Sequence, residues 1–278
     1  MALEVQILVK GAAYLGAGVA IGLGAIGAGV GEGYTAGFAN RAISMKPEKA
    51  GDVLKNMLIG QALAESAAIF ALVIAMLLVL MEFQANAITA VALAAAGICM
   101  GFGALGPGIG AGFPAGRACE GISRQPATSS SLSNTMLVGS AVCQTSAIYS
   151  MVVALMLMFF DYSTRAFNPN AAALFAAGLS TGLAAIGSGI GEGLTAGGAM
   201  QTIARQPTSV GRATASMLIG QAVAETPAIF GLLISMILLF RVYPGAESVI
   251  TAAALLGAGL SMGLGNPRLY TPWSSPWF

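Results

Sequence analysis

Charge is scarce in this sequence. Only 8% of its 278 residues are Asp, Glu, Lys or Arg, and the formal net charge is +1. An ordinary soluble domain carries about 25% charged residues, so a soluble surface is excluded. The near-neutral balance also excludes a strongly basic nucleic-acid binder, and no nucleic-acid partner is expected. Histidine is absent. Cys99, Cys119 and Cys143 have no metal-ligand spacing, so no zinc site is expected. They read as small apolar packing residues. The N-terminus, MALEVQILVKGAAYLG, has neither a basic start nor a clear cleavage site, so no removable signal peptide is expected.

What the sequence has is long apolar runs. Met57 to Met81 contains one charge, Glu65; Met136 to Phe160 contains none; Asn170 to Gln201 contains one, Glu192. Runs of this length span a bilayer as α-helices. A membrane β-barrel would show strict alternation in segments of about ten residues, and these runs do not alternate. The fold class is therefore an all-α integral membrane protein.

Internal repetition sets the architecture. GLGAIGAGVGEG (22–33) recurs as GFGALGPGIGAG (101–112) and GLAAIGSGIGEG (182–193). MLIGQALAESAAIF (57–70) recurs as MLVGSAVCQTSAIY (136–149) and MLIGQAVAETPAIF (217–230). Each unit is two apolar segments joined by a short polar loop, a helical hairpin. Three tandem hairpins are expected, at 1–84, 85–166 and 167–244, with six helices at 8–43, 53–83, 87–122, 132–160, 170–204 and 212–241. A fourth unit begins in TAAALLGAGLSMGLG (251–265), which resembles AAALFAAGLSTGLA (171–184). It predicts a partial seventh helix within 245–278. The tail NPRLYTPWSSPWF matches nothing in the other units, and its prolines forbid a continued helix. A natural truncation, a frameshifted end and an interfacial aromatic anchor all fit it. Eight of the twelve Lys and Arg residues lie in the loops within hairpins. That bias predicts that these loops are cytoplasmic and the N-terminus outside; a bacterial plasma membrane is the expected location.

The first helix of each hairpin is crowded with glycine. In a bilayer every backbone group must be bonded internally, so glycines there serve close helix approach. A tight inner layer of a ring suits such helices. GLGAIG (22–27) and GFGALG (101–106) satisfy the dinucleotide-binding fingerprint, but that motif requires a preceding strand and a βαβ unit. Both stretches lie inside hydrophobic helices, so the nucleotide reading is set aside.

Acids in such helices need an explanation. Glu32 and Glu65 are equidistant from the first hairpin turn, and so are Glu192 and Glu225 about theirs. Each pair therefore lies at one depth, near mid-membrane. A charged acid there costs at least about 2.5–3.5 kcal/mol on insertion scales and marks an ion pathway by default. Two level acids repel unless one shares a proton or a cation binds. Ser66 and Thr226 directly follow the second acid. Gln61 and Gln221 lie one turn before it on the same face. Such hard oxygens suit a small cation, so the residues alone point to a repeated intramembrane cation or proton site.

The glycine-rich first helices, the loops SRQP (123–126) and ARQP (204–207), and GQALAES (60–66) with GQAVAET (220–226) carry a resemblance. The chain resembles the rotor-ring proteolipid, or c-type proteolipid, of rotary ion-translocating ATPases, and looks like several such proteolipids fused, with F-type loops. The resemblance implies a ring of hairpins, first helices inside, built from further copies or other c-type proteolipids in membrane lipid. It implies that Arg124, Gln125, Pro126, Arg205, Gln206 and Pro207 meet the central stalk of the catalytic head. It implies that Glu65 and Glu225 carry the ion past an arginine on a stator subunit. In sodium-binding members a first-helix side chain, a hydroxyl after the acid and a carbonyl two residues before it complete the site. Those positions here hold Glu32 and Glu192, Ser66 and Thr226, and Leu63 and Val223; the resemblance also implies that sites form between adjacent hairpins, so the ligands of one ion need not come from one repeat. The expected cargo is Na+ at the Glu65 and Glu225 sites, with H+ the alternative and no organic cofactor. The chain itself is expected to catalyse nothing.

The sequence also departs from the family. Sodium-binding relatives often carry a tyrosine five residues after the acid; Phe70 and Phe230 lack its hydroxyl and only Tyr149 has it. The first loop reads SMKPEKAGD (44–52) in place of an Arg-Gln-Pro turn. In the second repeat Ala111 replaces the first acid and Gln144 the second. Three hairpins then hold two competent carboxylates. Fewer ions per turn favour pumping over synthesis, as in fused V-type proteolipids. The competing readings are a proton-translocating V-type-like proteolipid, a repeat-built secondary transporter and a structural scaffold. The unbroken helices, interrupted only by Pro107 and Pro227, and the like topology of the three repeats weigh against the transporter. The level acid pairs weigh against the scaffold.

Overall fold

The structure is a computed structural model that describes residues 2–243 and 249–264. The tail at 266–278, whose nature the sequence leaves open, lies outside the described residues. The described residues contain helices and no strand. The first hairpin is α1 (Ala2–Met45) and α2 (Ala50–Leu80). The second is α3 (Ala87–Arg124) followed by α4 (Ser129–Val142) and α5 (Thr145–Phe159). The third is α6 (Phe167–Arg205) and α7 (Val210–Phe240), and α8 (Val249–Leu264) follows. Counting α4 and α5 as one span, six segments are long and apolar enough to cross a membrane. At 44 residues, α1 is ~66 Å long, so it extends well past the ~30 Å hydrocarbon core.

One turn chemistry serves all three hairpins. Lys46, Gln125 and Gln206 are extended, with φ of −142°, −136° and −136°, because each precedes a proline. Pro47, Pro126 and Pro207 then open short 3-10 turns at 47–49, 126–128 and 207–209. The first loop therefore folds like the two Arg-Gln-Pro loops although its side chains differ. At the opposite end Asn86 caps α3, its Oδ1 accepting from the Ile88 N–H at 3.2 Å. Asn170 likewise accepts from the Tyr243 N–H at 3.0 Å, tying the start of α6 to the end of α7.

The first helices form a contiguous inner layer: α1 packs on α3, α3 on α6 and α6 on α8. Glycine sets the spacing. A Cβ on Gly97 would overlap the backbone of Gly16, and one on Gly178 would meet the Ala95 carbonyl oxygen at 2.6 Å. In lipid the hydrophobic drive between helices is lost and close packing supplies the attraction. That is why side-chain-free positions repeat along these helices.

Two proline expectations change. Pro107, Pro114 and Pro227 all lie within continuous helices. The break comes instead at Cys143 and Gln144, between α4 and α5, where no proline or glycine stands. There the Thr145 hydroxyl donates to the Val142 carbonyl at 2.8 Å, offering the backbone a substitute for its helical bond.

Candidate functional site

The four acids occupy two different environments. Glu192 is 0% exposed, held between hairpins two and three. Glu32 is half-buried and Glu65 exposed, because hairpin one has a neighbour on one side only. Within hairpins one and three the glutamine one turn before the second-helix acid meets the backbone of the first-helix acid. Gln61 Nε2 donates to the Glu32 backbone oxygen at 3.4 Å, and Gln221 Nε2 to that of Glu192 at 3.4 Å. In hairpin two Ser140 takes this role, donating to the Ala111 carbonyl at 3.1 Å.

The interface between hairpins two and three is the most developed site. The Tyr149 hydroxyl, from hairpin two, donates to Glu225 Oε1 at 2.7 Å. Gln221 Nε2 also donates to the Gly139 carbonyl at 2.8 Å, so its amide nitrogen is spent on backbone. Its oxygen is not. Gln221 Oε1 and both carboxyl oxygens of Glu192 are buried without a hydrogen-bond partner among the described residues. A buried polar atom left unpaired costs about 1–3 kcal/mol, more if charged. Three such oxygens beside Glu225 form a donor set suited to a proton or a small hard cation.

The interface between hairpins one and two differs. Gln144 Nε2 donates to the Leu63 carbonyl of hairpin one at 3.1 Å and approaches the Pro107 carbonyl at 3.5 Å. Leu63 thus serves the neighbour that follows it rather than Glu65 in its own hairpin. Across both interfaces, the residue at the second-helix acid position reaches back to the preceding hairpin. By that rule Glu65 faces the free edge of the chain.

Comparison with known proteins bears on what this arrangement is. The profile of the ATP synthase C-subunit family matches three times, over 15–78, 94–157 and 175–238. The chain belongs to that family. It is 31% identical over 241 residues to the K-subunit of the A-type ATP synthase of Methanocaldococcus jannaschii, covering 86% of this chain and 99% of that one. It is 49% identical over 75 residues to the chloroplastic ATP synthase c-subunit of Diacronema lutheri, and 47% over 72 to that of Ostreococcus tauri. Each of these covers 26% of this chain, and 90% and 88% of the relative. A long match to the archaeal protein and short matches to the chloroplast ones are what fused hairpins produce. Members of this family are ion-translocating, non-catalytic rotor components that form rings within ATP synthases. The chain is accordingly an integral membrane component rather than an enzyme.

Several positions of the family's ion site lie apart from the acids within this chain. Ser66 and Thr226 turn their hydroxyls back on their own helices, donating to Ala62 at 3.1 Å and Ala222 at 3.4 Å. Val223 is 60% exposed on the free side of hairpin three. Pro227, four residues on, has no N–H to give its carbonyl. Among the loop residues, Arg124 pairs with Glu120 at 2.6 Å, and Arg117 completes the pair from the other side at 3.2 Å. Sequence reasoning did not assign Tyr149 to the Glu225 site. Its spacing tied it to the acid-free second repeat, and spacing alone does not say which neighbour a side chain meets.

Proposed function

We propose that this chain is a c-type proteolipid of a rotary ATPase that carries Na+ on Glu65 and Glu225, turning ion movement into ring rotation. The observation that carries this reading is the donor set at the second interface: Glu225 held by Tyr149, beside the unpaired oxygens of Glu192 and Gln221. A proton needs one basic oxygen, whereas this cluster offers several. The Thr145 hydroxyl and the Val142 carbonyl occupy in hairpin two the positions that Ser66 and Leu63 hold in hairpin one; as the Leu63 carbonyl serves Gln144 across the first interface, these two are the candidates to serve Glu225 across the second. On this reading Thr226 and Val223 serve the next interface, as the resemblance allows when one ion's ligands come from two hairpins.

Gln144 cannot carry an exchangeable negative charge, so the first interface passes the stator arginine unloaded. The hairpin loops, with Gln125, Pro126, Arg205, Gln206 and Pro207 exposed or half-buried at their tips, face the cytoplasm and the central stalk. In a ring made of this chain alone, two of every three steps move an ion, and the free energy of each ATP acts on fewer ions. That suits a pump working against a steep gradient.

Carbodiimide labelling of the assembled ring, resolved by peptide, tests the reading. Glu65 and Glu225 are labelled, and sodium at neutral pH protects both. Labelling without sodium protection would make the cargo H+. No labelling of either acid would remove the carrier role altogether.

A further inference from the structure

The inner layer contains a fourth helix. Gly259 of α8 rests on the Ala176 backbone of α6, as Gly178 rests on Ala95 and Gly97 on Gly16. These glycines are 81 residues apart in sequence. A second set follows the same interval. A Cβ on Gly101 would meet the Val19 oxygen at 2.7 Å, one on Gly182 the Cys99 oxygen at 2.9 Å, and one on Gly263 the Leu179 oxygen at 3.0 Å. So α8 docks on α6 with the register that α6 uses on α3 and α3 on α1.

The internal repeats equate Gly97 and Gly101 with Gly18 and Gly22 of α1. Gly108 and Gly112 likewise correspond to Gly29 and Gly33. In α3 and α6 all four positions lie against the backbone of the preceding first helix. In α1 all four face open space, with nothing within 4 Å of a Cβ. The chain therefore carries one copy of this interface without its partner surface. The surface that fits it is the α6 face whose N-terminal half α8 covers at Ala176, Leu179 and Leu183.

We propose that α8 and the α1 of a second copy of this chain compete for one docking face on α6, and that ring assembly exchanges the first for the second. The occupant follows from continuity: the α1 face repeats, position for position, an interface the chain already makes twice. The exchange also completes a site. Glu32 and Glu65 stand at the free edge of hairpin one, and the proline-freed Val223 carbonyl and Thr226 stand at the free edge of hairpin three. Docking α1 on α6 brings these edges together, so the second copy supplies the carbonyl and hydroxyl that Glu65 lacks in the single chain. This rests on the rotor reading above.

The test uses the full chain in mild detergent, with native mass spectrometry following assembly against protein concentration. Gly259→Leu with Gly263→Leu drives side chains into the α6 backbone and unseats α8. The concentration at which half the chains are assembled is expected to fall at least tenfold. Gly18→Leu with Gly22→Leu is expected to abolish assembly while leaving the helical content of the single chain unchanged, since both positions are open. Unchanged or weakened assembly in the α8 variant would overturn the competition, the weakened case making α8 part of the ring wall. Normal assembly of the α1 variant would overturn the docking face. Failure of the carrier reading shows separately, as assembled rings whose Glu65 and Glu225 resist carbodiimide.

Discussion

Tyr149→Phe removes one oxygen from the Glu225 site and leaves the ring in place. The hydroxyl donates to Glu225 Oε1 at 2.7 Å, an ordinary O–H···O length, and in the sodium-loaded site the acceptor is a carboxylate. Such bonds contribute about 1.5–3 kcal/mol net. Each ~1.4 kcal/mol is a factor of ten in affinity, so the sodium concentration that half-protects Glu225 should rise by about tenfold to a hundredfold. Glu65 is an internal control, because Tyr149 belongs to the interface on the far side of hairpin two. The assay is carbodiimide labelling of the assembled ring over a sodium series, with the peptides bearing Glu65 and Glu225 quantified separately. Phenylalanine at 149 keeps the packing of the ring, so general unfolding does not mimic the result. Unchanged protection at Glu225 would refute the claim that the hydroxyl serves the ion site. An equal shift at both acids would refute its assignment to one interface.

Other perturbations read other parts of the argument. Glu192→Leu removes two of the three unpaired oxygens and should weaken sodium protection of Glu225 at least tenfold, with Glu65 unaffected in the same labelling assay. Gln144→Glu places a carboxylate at the first interface and should add a third labelled peptide. Sodium should protect it poorly, since Ala111 supplies no first-helix oxygen, and with three carriers per chain in place of two the ion-to-ATP ratio of the complex should rise by up to half. Gly97→Ala forces a Cβ into the Gly16 backbone and should cost about 1–3 kcal/mol, the usual penalty of overpacking. Thermal unfolding of the single chain should show that loss, and Gly29→Ala, at an open position, should not.

The six spans and their pairing were legible in the sequence, because apolar run length and repetition are set by the bilayer itself. The short polar loops were legible, but the likeness of the first loop to the two Arg-Gln-Pro loops was not, because it lies in the proline that fixes the residue before it and not in the side chains that differ. The break at Cys143 and Gln144 was not, since it comes from side chains competing for backbone groups rather than from a helix-breaking residue. Proximity within a hairpin was readable: Gln61 and Gln221, one turn before the second acids, meet the backbone of Glu32 and Glu192. Handedness was not. Whether an acid faces the hairpin before it or after it depends on how the units pack, and equal spacing describes both cases. That is why the acid position served by the Leu63 carbonyl stayed open, and why Tyr149 had no assigned partner. The partial fourth repeat was visible as a pattern, but its place against α6 follows from glycine contacts that only coordinates reveal.

The amide of Gln144, bonded to the Leu63 carbonyl, has a mechanical consequence. On the proposed reading, a loaded carrier sheds its ion before its carboxylate meets the stator arginine, and that meeting would hold the rotor briefly at each step. A neutral amide already bonded to its neighbour presents no such catch. A ring of these chains would be driven twice and then coast once, in a repeating beat of three. Torque would arrive in pulses, and the elasticity of the stalk would have to smooth them.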